Sequence, residues 1–129
     1  AAFRWTAKSD IAIVNGGGLR ADLPAGNVKR RDTMAIFPFG NTLRVAEIKG
    51  SAIREMLEHS VEYYPASFGG FLDVSGMTFS YDPTQPAKQR VKEISIGGTP
   101  LDEYPGGEGV QYARGYNYHV TVHNQAQWN

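Results

Sequence analysis

The sequence predicts an α+β domain with a mixed sheet and one dominant helix. Apolar residues recur at helical spacing over only one long stretch, between Ile53 and Tyr64. Short apolar or alternating runs, which are typical of strands, lie on both sides of it. Some of these runs are joined by tight turns and others by longer connections, so parallel and antiparallel pairs are both expected. At 129 residues, we expect residues 1–129 to form a single domain with one core.

The first half of the chain contains two predicted strands. Residues 11–14 are a continuous apolar run ended by Asn-Gly, which indicates a buried strand. Residues 41–48 alternate between apolar and polar side chains and predict a second strand. The polar, basic segment 24–31 is interpreted as a loop, and a short apolar run at 34–37 stops at a proline.

The dominant helix follows Ser51, which is a plausible N-cap. Its apolar positions are Ile53, Met56, Leu57, Val61 and Tyr64. Pro65 follows the expected end. The acidic side chains are expected on the solvated side of this helix. They are Glu55, Glu58 and Glu62.

The second half of the chain predicts a hairpin and two further strands. Residues 68–76 are interpreted as a loop because aromatic residues and glycines dominate them. Residues 77–81 alternate as a strand. Residues 91–101 predict a hairpin with a two-residue glycine turn. Alternation at 118–122 predicts a final strand.

The composition excludes several kinds of site. Thirteen basic and thirteen acidic residues cancel, which argues against a nucleic-acid-binding module. The chain has no cysteine, so disulfides and thiolate metal sites are excluded. No apolar run approaches the roughly 18 residues that a membrane helix needs. His119 and His123 would lie more than about 12 Å apart on a strand, so they predict no metal site.

The glycine run after the first strand is the first candidate binding feature. It comprises Asn15, Gly16, Gly17, Gly18 and, two residues later, Arg20. Consecutive glycines permit positive φ and close approach, and a loop of exposed N–H groups suits an anion. The guanidinium suits phosphate or carboxylate. The run matches neither a Walker loop nor a dinucleotide fingerprint, so a tight strand-exit turn with a surface arginine remains an alternative.

The second candidate feature is the stretch "FPFGN". Phe39 lies between a proline and a glycine, where it either enters the core or displays a flat face for stacking a ring. Asn41 carries one acceptor and two donors and could therefore read the edge of a base. A third stretch, "SFGGF" at 67–71, again leaves backbone bare between aromatic residues.

Together, "VNGGGLR", "FPFGN", "EHSVEYY" and "FGGFLDVSGMTFSYD" resemble the C-terminal domain of the 5'-nucleotidase family, with matching order from Asp10 to His123. That family includes UDP-sugar hydrolases and ecto-5'-nucleotidases. The resemblance implies a two-domain enzyme. An N-terminal metallophosphoesterase domain would hold two divalent metal ions and the catalytic residues. The C-terminal domain would bind the nucleotide or nucleoside.

The resemblance also implies roles for individual residues. Asn15 matches a base contact, and the glycine loop that follows it would lie against the ligand. Arg20 matches a phosphate-binding arginine. Phe39 matches one of two aromatic residues that sandwich the base, and Asn41 matches a base-contacting asparagine. Gly69 matches a glycine whose backbone lines the base pocket.

The sequence departs from the family pattern after its final strand. The family continues with Asn-Phe and then Gly-Gly-Asp-Gly, whereas His123-Asn124 is followed here by Gln125. The second stacking phenylalanine and the ribose-binding aspartate are therefore missing. We interpret the chain as a fragment with an incomplete pocket, in which Trp128 is the alternative source of a second ring.

The leading interpretation is the substrate-binding domain of an enzyme that hydrolyses phosphate esters of nucleotides. The resemblance implies no catalytic residue, metal ligand or cofactor in this chain, which we expect to be inactive alone. It also implies a periplasmic, cell-surface or secreted protein without a membrane segment here. Alternatives are action on cyclic nucleotides, dinucleotides or sulfur esters, or a non-catalytic binding fragment.

Overall fold

The computed structural model describes residues 1–103 and 117–123. Three α-helices lie within these ranges: α1 at Ala2–Ala7, α2 at Arg30–Ile36 and α3 at Gly50–Ser60. The strands within the same ranges are β1 at Ile11–Asn15, β2 at Leu43–Lys49, β3 at Leu72–Ser75, β4 at Met77–Tyr81, β5 at Val91–Ile96, β6 at Thr99–Pro100 and β7 at Asn117–His123. No helix in this part of the chain is long and apolar enough to cross a membrane.

The strands form two sheets. The first has the order β2-β7-β1-β3, with β7 parallel to β1 and antiparallel to β2. β1 and β3 are antiparallel, with Asn15 opposite Leu72 at the end of the ladder. The second sheet, β4-β5-β6, is entirely antiparallel. The predicted α+β class with a mixed sheet and a dominant helix is therefore confirmed.

The core lies between α3 and the two sheets. Ile53 and Leu57 of α3 and Val61, the residue that directly follows the helix, recur at i, i+4 and i+8 and are fully buried, so they form one apolar stripe. They pack with Ile11 and Ile13 of β1. The pattern that predicted the helix is thus the pattern that attaches it to the first sheet.

The bounds of α3 differ from the prediction at both ends. The N-cap is Lys49 rather than Ser51, and no side chain caps it. The helix ends at Ser60, and residues 61–64 form turns. The Nη1 of Arg90 donates to three backbone carbonyls that follow this end. They are those of Val61, Glu62 and Tyr64, at 2.7, 2.9 and 3.0 Å. A cation at a helix C-terminus satisfies carbonyls that lack an intrahelical partner and opposes the helix dipole.

Glu58 does not lie on a purely solvated face. Its two carboxylate oxygens accept the backbone N–H groups of Arg90 at 3.0 Å and Val91 at 2.9 Å. The side chain is partly buried and joins α3 to the start of β5. Glu55 is exposed as predicted, whereas Glu62 is partly buried and lies 3.0 Å from the Nδ1 of His59.

Three elements were not predicted. α1 forms within the first ten residues, and α2 begins at Arg30, inside the segment interpreted as a loop. β3 occupies the second half of the predicted 68–76 loop, because β1 offers an antiparallel partner that is distant in sequence. The predicted hairpin is confirmed. Both of its turn glycines have positive φ, 58° at Gly97 and 85° at Gly98, as a type I′ turn requires.

Candidate functional site

The glycine run forms a single 3₁₀ turn at the end of β1. Asn15 is 7% exposed, and Gly16–Gly18 follow it directly. None of these glycines has positive φ, so the turn does not use the left-handed backbone that glycine permits. The N–H of Gly16 donates to the Phe71 carbonyl at 2.7 Å, and that of Gly17 to the Gly69 carbonyl at 2.9 Å. These two N–H groups are therefore engaged within the protein rather than exposed to an anion.

Gly17 is a glycine because another backbone passes close to it. A Cβ at this position would lie 3.0 Å from the Gly69 oxygen and 3.1 Å from its Cα. At Gly16 the nearest atom, the Phe71 carbonyl oxygen, would be 3.4 Å away, which is ordinary contact. The Nδ2 of Asn15 also donates to the Gly69 carbonyl, at 3.3 Å. Three of the predicted site residues thus meet at one carbonyl group.

The segment that carries Gly69, residues 68–71, is held from its other side by the last turn of α3. The Ser60 hydroxyl accepts the N–H of Leu72 at 2.8 Å. A Cβ at Gly70 would overlap the Phe68 ring, so this glycine allows the ring to lie against the backbone. The ring centroid of Phe68 is 4.7 Å from that of Tyr63 and 5.3 Å from that of His59.

Arg20, two residues after the glycine turn, is attached to the end of α2, three residues before Phe39. The backbone N–H of Arg20 donates to the Ile36 carbonyl at 3.0 Å, at the end of α2. The Arg20 side chain is exposed, and its guanidinium has no ion-pair partner among the described residues. Phe39, three residues after Ile36, is 50% exposed. A ring so exposed is not part of the core, and its stacking on a base stays a prediction.

The sheet topology brings these segments to one edge. β2 runs antiparallel to β7, and β7 runs parallel to β1, so the end of β1 and the start of β2 share an edge. Asn15 ends β1, and Asn41 lies two residues before β2 and is partly buried. Only β7 separates the two strands, which places their ends about 10 Å apart. Together with the contacts above, this edge holds the segments of all the predicted site residues.

Sequence reasoning missed the residues that support this edge. Ser60 was counted only as part of the helix, although it is 1% exposed and is therefore a polar group inside an apolar core. Asp73 was also missed, although its carboxylate would lie 3.9 Å from a Cβ on Gly16. A serine in line with buried helix positions was the available signal for Ser60. Trp128, the alternative second ring, lies outside the described residues.

Comparisons with known proteins identify the family of the chain. The sequence model of the 5'-nucleotidase C-terminal domain matches residues 1–104. The chain is 33% identical over 114 residues to the trifunctional nucleotide phosphoesterase YfkN of Bacillus subtilis, covering 88% of this chain and 7% of that protein. It is 36% identical over 90 residues to snake venom 5'-nucleotidase of Naja atra, covering 67% of the chain and 17% of the relative.

Among solved structures, the 5'-nucleotidase precursor of Thermus thermophilus superposes with a TM-score of 0.76 at 33% identity. The superposition covers 94% of this chain and 22% of that one, so the chain spans about a fifth or less of the relatives described here. The matched region includes β1, the glycine turn, α3, the stretch that carries Phe39 and Asn41, and the 68–71 segment. The chain belongs to the 5'-nucleotidase family and corresponds to its C-terminal domain.

Proposed function

We propose that this chain binds the substrate for a metallophosphoesterase domain of the same protein, which hydrolyses phosphate esters of nucleotides. The observation that carries the proposal is the sheet edge that gathers Asn15, Arg20 and Phe39. A half-exposed ring offers a face on which a base stacks. An exposed guanidinium without an ion-pair partner among the described residues offers bidentate contacts to phosphate. The family of the chain supports the same assignment.

In this proposal the metal ions are bound by the N-terminal domain and not by this chain. Within the described residues, no three His, Cys, Asp or Glu side chains lie close enough to hold a metal ion, so this part of the chain does not fit such a site. Two divalent ions would belong to the N-terminal domain, where they supply a polarised phosphoryl group and an activated water. This chain would orient the nucleotide for that chemistry. We therefore propose that the chain alone is inactive.

The substrate range within nucleotides is the finer part of the proposal. Nucleoside monophosphates suit a site with one exposed guanidinium and one exposed ring. A broader range, including cyclic nucleotides or dinucleotides, is the second candidate, and the trifunctional character of the Bacillus relative favours it. The venom relative supports a secreted or otherwise extracytoplasmic location.

The decisive experiment separates the phosphate contact from the base contact in the full-length protein. Arg20→Ala should weaken binding of AMP while adenosine binding hardly changes, because only AMP carries the phosphate. Lys92→Ala is the control, since it removes an exposed cation from β5 in the second sheet. Isothermal titration with both ligands gives the comparison. Equal losses for AMP and adenosine would remove Arg20 from the phosphate site.

A further inference from the structure

We propose that Ser60 is a positioning residue for the nucleotide base, acting through the 68–71 segment. The proposal rests on the function proposed above. Ser60 lies in line with the buried positions of α3 and is 1% exposed, next to the fully buried Val61. A hydroxyl in such surroundings is costly unless it is hydrogen-bonded. The Ser60 hydroxyl accepts the backbone N–H of Leu72, at 2.8 Å.

The position of Leu72 makes this bond relevant to the site. Leu72 is the register partner of Asn15 at the last pair of the β1–β3 ladder. Its N–H points to α3 through the Ser60 bond, while the carbonyl of the preceding residue, Phe71, accepts the Gly16 N–H. The Ser60 hydroxyl therefore fixes where β3 begins. It thereby also fixes the distance between the 68–71 segment and the glycine turn.

The carbonyl groups of this segment in turn hold the predicted base contacts. The Gly69 carbonyl accepts both the Gly17 N–H and the Asn15 Nδ2, and the Phe71 N–H donates to the Phe68 carbonyl at 3.0 Å to close the turn. The bond to Nδ2 sets which way the Asn15 amide faces. A displacement of Gly69 would therefore change the group that Asn15 presents to a base.

A second anchor comes from His59 in the last turn of α3 and from Tyr63 in the turns that follow the helix. The Phe68 ring rests on Gly70 and contacts the rings of His59 and Tyr63, which flank Ser60 in sequence. His59 is held in turn by the Glu62 carboxylate at 3.0 Å. Both ends of the 68–71 segment are thus attached to the C-terminal end of α3, one by a hydrogen bond and one by ring packing.

The test compares two serine variants in the full-length protein. Ser60→Ala removes the acceptor of the Leu72 N–H. Ser80→Ala is the matched control, because the Ser80 hydroxyl accepts the Glu93 N–H at 3.2 Å in the second sheet. We expect Ser60→Ala to weaken adenosine and AMP binding about tenfold, the equivalent of 1.4 kcal/mol. Inorganic phosphate affinity should be unchanged in the same sample, and Ser80→Ala should leave all three affinities unchanged.

The selective loss for base-containing ligands distinguishes positioning from general destabilisation, which would lower all three affinities through the folded fraction. Hydrogen exchange adds a direct readout, since the Gly16 and Gly17 amides should exchange faster in Ser60→Ala only. If this variant does not fold, Phe68→Leu loosens the second anchor and should give the same base-selective loss.

Three results would count against the proposals, one against the proposed function and two against the positioning role. Wild-type protein that binds neither adenosine nor AMP refutes the proposed function. If the wild type binds both ligands but Ser60→Ala leaves the adenosine affinity unchanged, the positioning role alone is overturned. Phe68→Leu replaces Ser60→Ala in this comparison if the serine variant is unfolded. A uniform loss for adenosine, AMP and phosphate also overturns it.

Discussion

Replacing Gly17 by alanine tests why the glycine turn contains glycine. The sequence suggests that these positions are bare so that a ligand can approach. In the structure, a Cβ on Gly17 would instead lie 3.0 Å from the oxygen, 3.1 Å from the Cα and 3.4 Å from the carbonyl carbon of Gly69. The crowding atoms belong to backbone, which has no rotamer by which to move aside. Gly17→Ala should therefore push the 68–71 segment away from β1.

The size of the effect follows from the bonds that this movement disturbs. Overpacking of this kind costs about 1–3 kcal/mol. The Asn15 bond to Gly69 is already 3.3 Å long, so a shift of a few tenths of an ångström would break it, at roughly 1 kcal/mol. Alanine has lower backbone entropy than glycine in the unfolded chain, which raises the free energy of unfolding by about 0.4–1 kcal/mol. This gain applies because Gly17 does not have positive φ. A net loss of about 2 kcal/mol is expected.

Gly16→Ala is the matched control in the same turn. Its Cβ would lie 3.4 Å from the Phe71 oxygen and 3.9 Å from the Asp73 carboxylate, at ordinary contact distances. Because Gly16 also lacks positive φ, we expect the free energy of unfolding of this variant to match that of the wild type or exceed it by up to about 1 kcal/mol. Urea unfolding of both variants, with AMP titration of the folded proteins, gives the comparison. The packing explanation is refuted if Gly17→Ala unfolds no more easily than Gly16→Ala. Lower AMP affinity at unchanged stability would favour the ligand instead.

Three further predictions concern single side chains. Phe39→Ala should lose roughly 1–3 kcal/mol of adenosine affinity by titration, but far less stability than the 3–5 kcal/mol of a core phenylalanine. Arg90→Ala should lower the free energy of urea unfolding by about 3 kcal/mol. Arg90→Lys should lower it by less, because lysine keeps a cationic donor at the helix end although it lacks the guanidinium fork. Hydrogen bonds from the Thr84 side chain and backbone lower the pKa of Asp82, so its stabilisation should be lost as pH falls through that lowered pKa. Unfolding of Asp82→Asn across acidic pH should lack this loss.

The sequence predicted those parts of the fold that local patterns determine. The stripe of Ile53, Leu57 and Val61 and the two-glycine hairpin are both readable within a dozen residues. β3 was missed because its glycine-rich approach resembles a loop, and only the distant β1 makes it a strand. α1 and α2 are short, and neither begins with a Ser, Thr, Asp or Asn N-cap; at α2 the N-cap is Lys29, whose backbone N–H donates to the Asp32 carboxylate at 2.8 Å.

In the candidate site, too, local motifs were predictable and contacts between distant segments were not. The motifs indicated Asn15, Arg20, Phe39 and Gly69, and the structure brings their segments to one edge of the sheet. Their proposed contacts with a nucleotide stay predictions. The partner of Gly17 was not predictable, since nothing local in the sequence places Gly69 against it. The bond between Ser60 and Leu72 likewise joins residues whose proximity depends on how the loop folds back on α3.

The place of β7 in the first sheet has a consequence for how the domain folds during synthesis. β7 follows every other described strand in the sequence, yet it lies between β2 and β1 and pairs with β2 along all seven residues from Leu43 to Lys49. Within the described residues, β2 has no other strand neighbour. While the ribosome holds residues 117–123, the β1–β3 ladder and the second sheet can form, but β2 and one side of β1 remain open edges. Such edges pair readily with other chains, and ladders between distant segments form slowly. Insertion of β7 therefore covers the open side of β1 and gives β2 its strand neighbour, which leaves β2 and β3 as the edge strands of the described sheet.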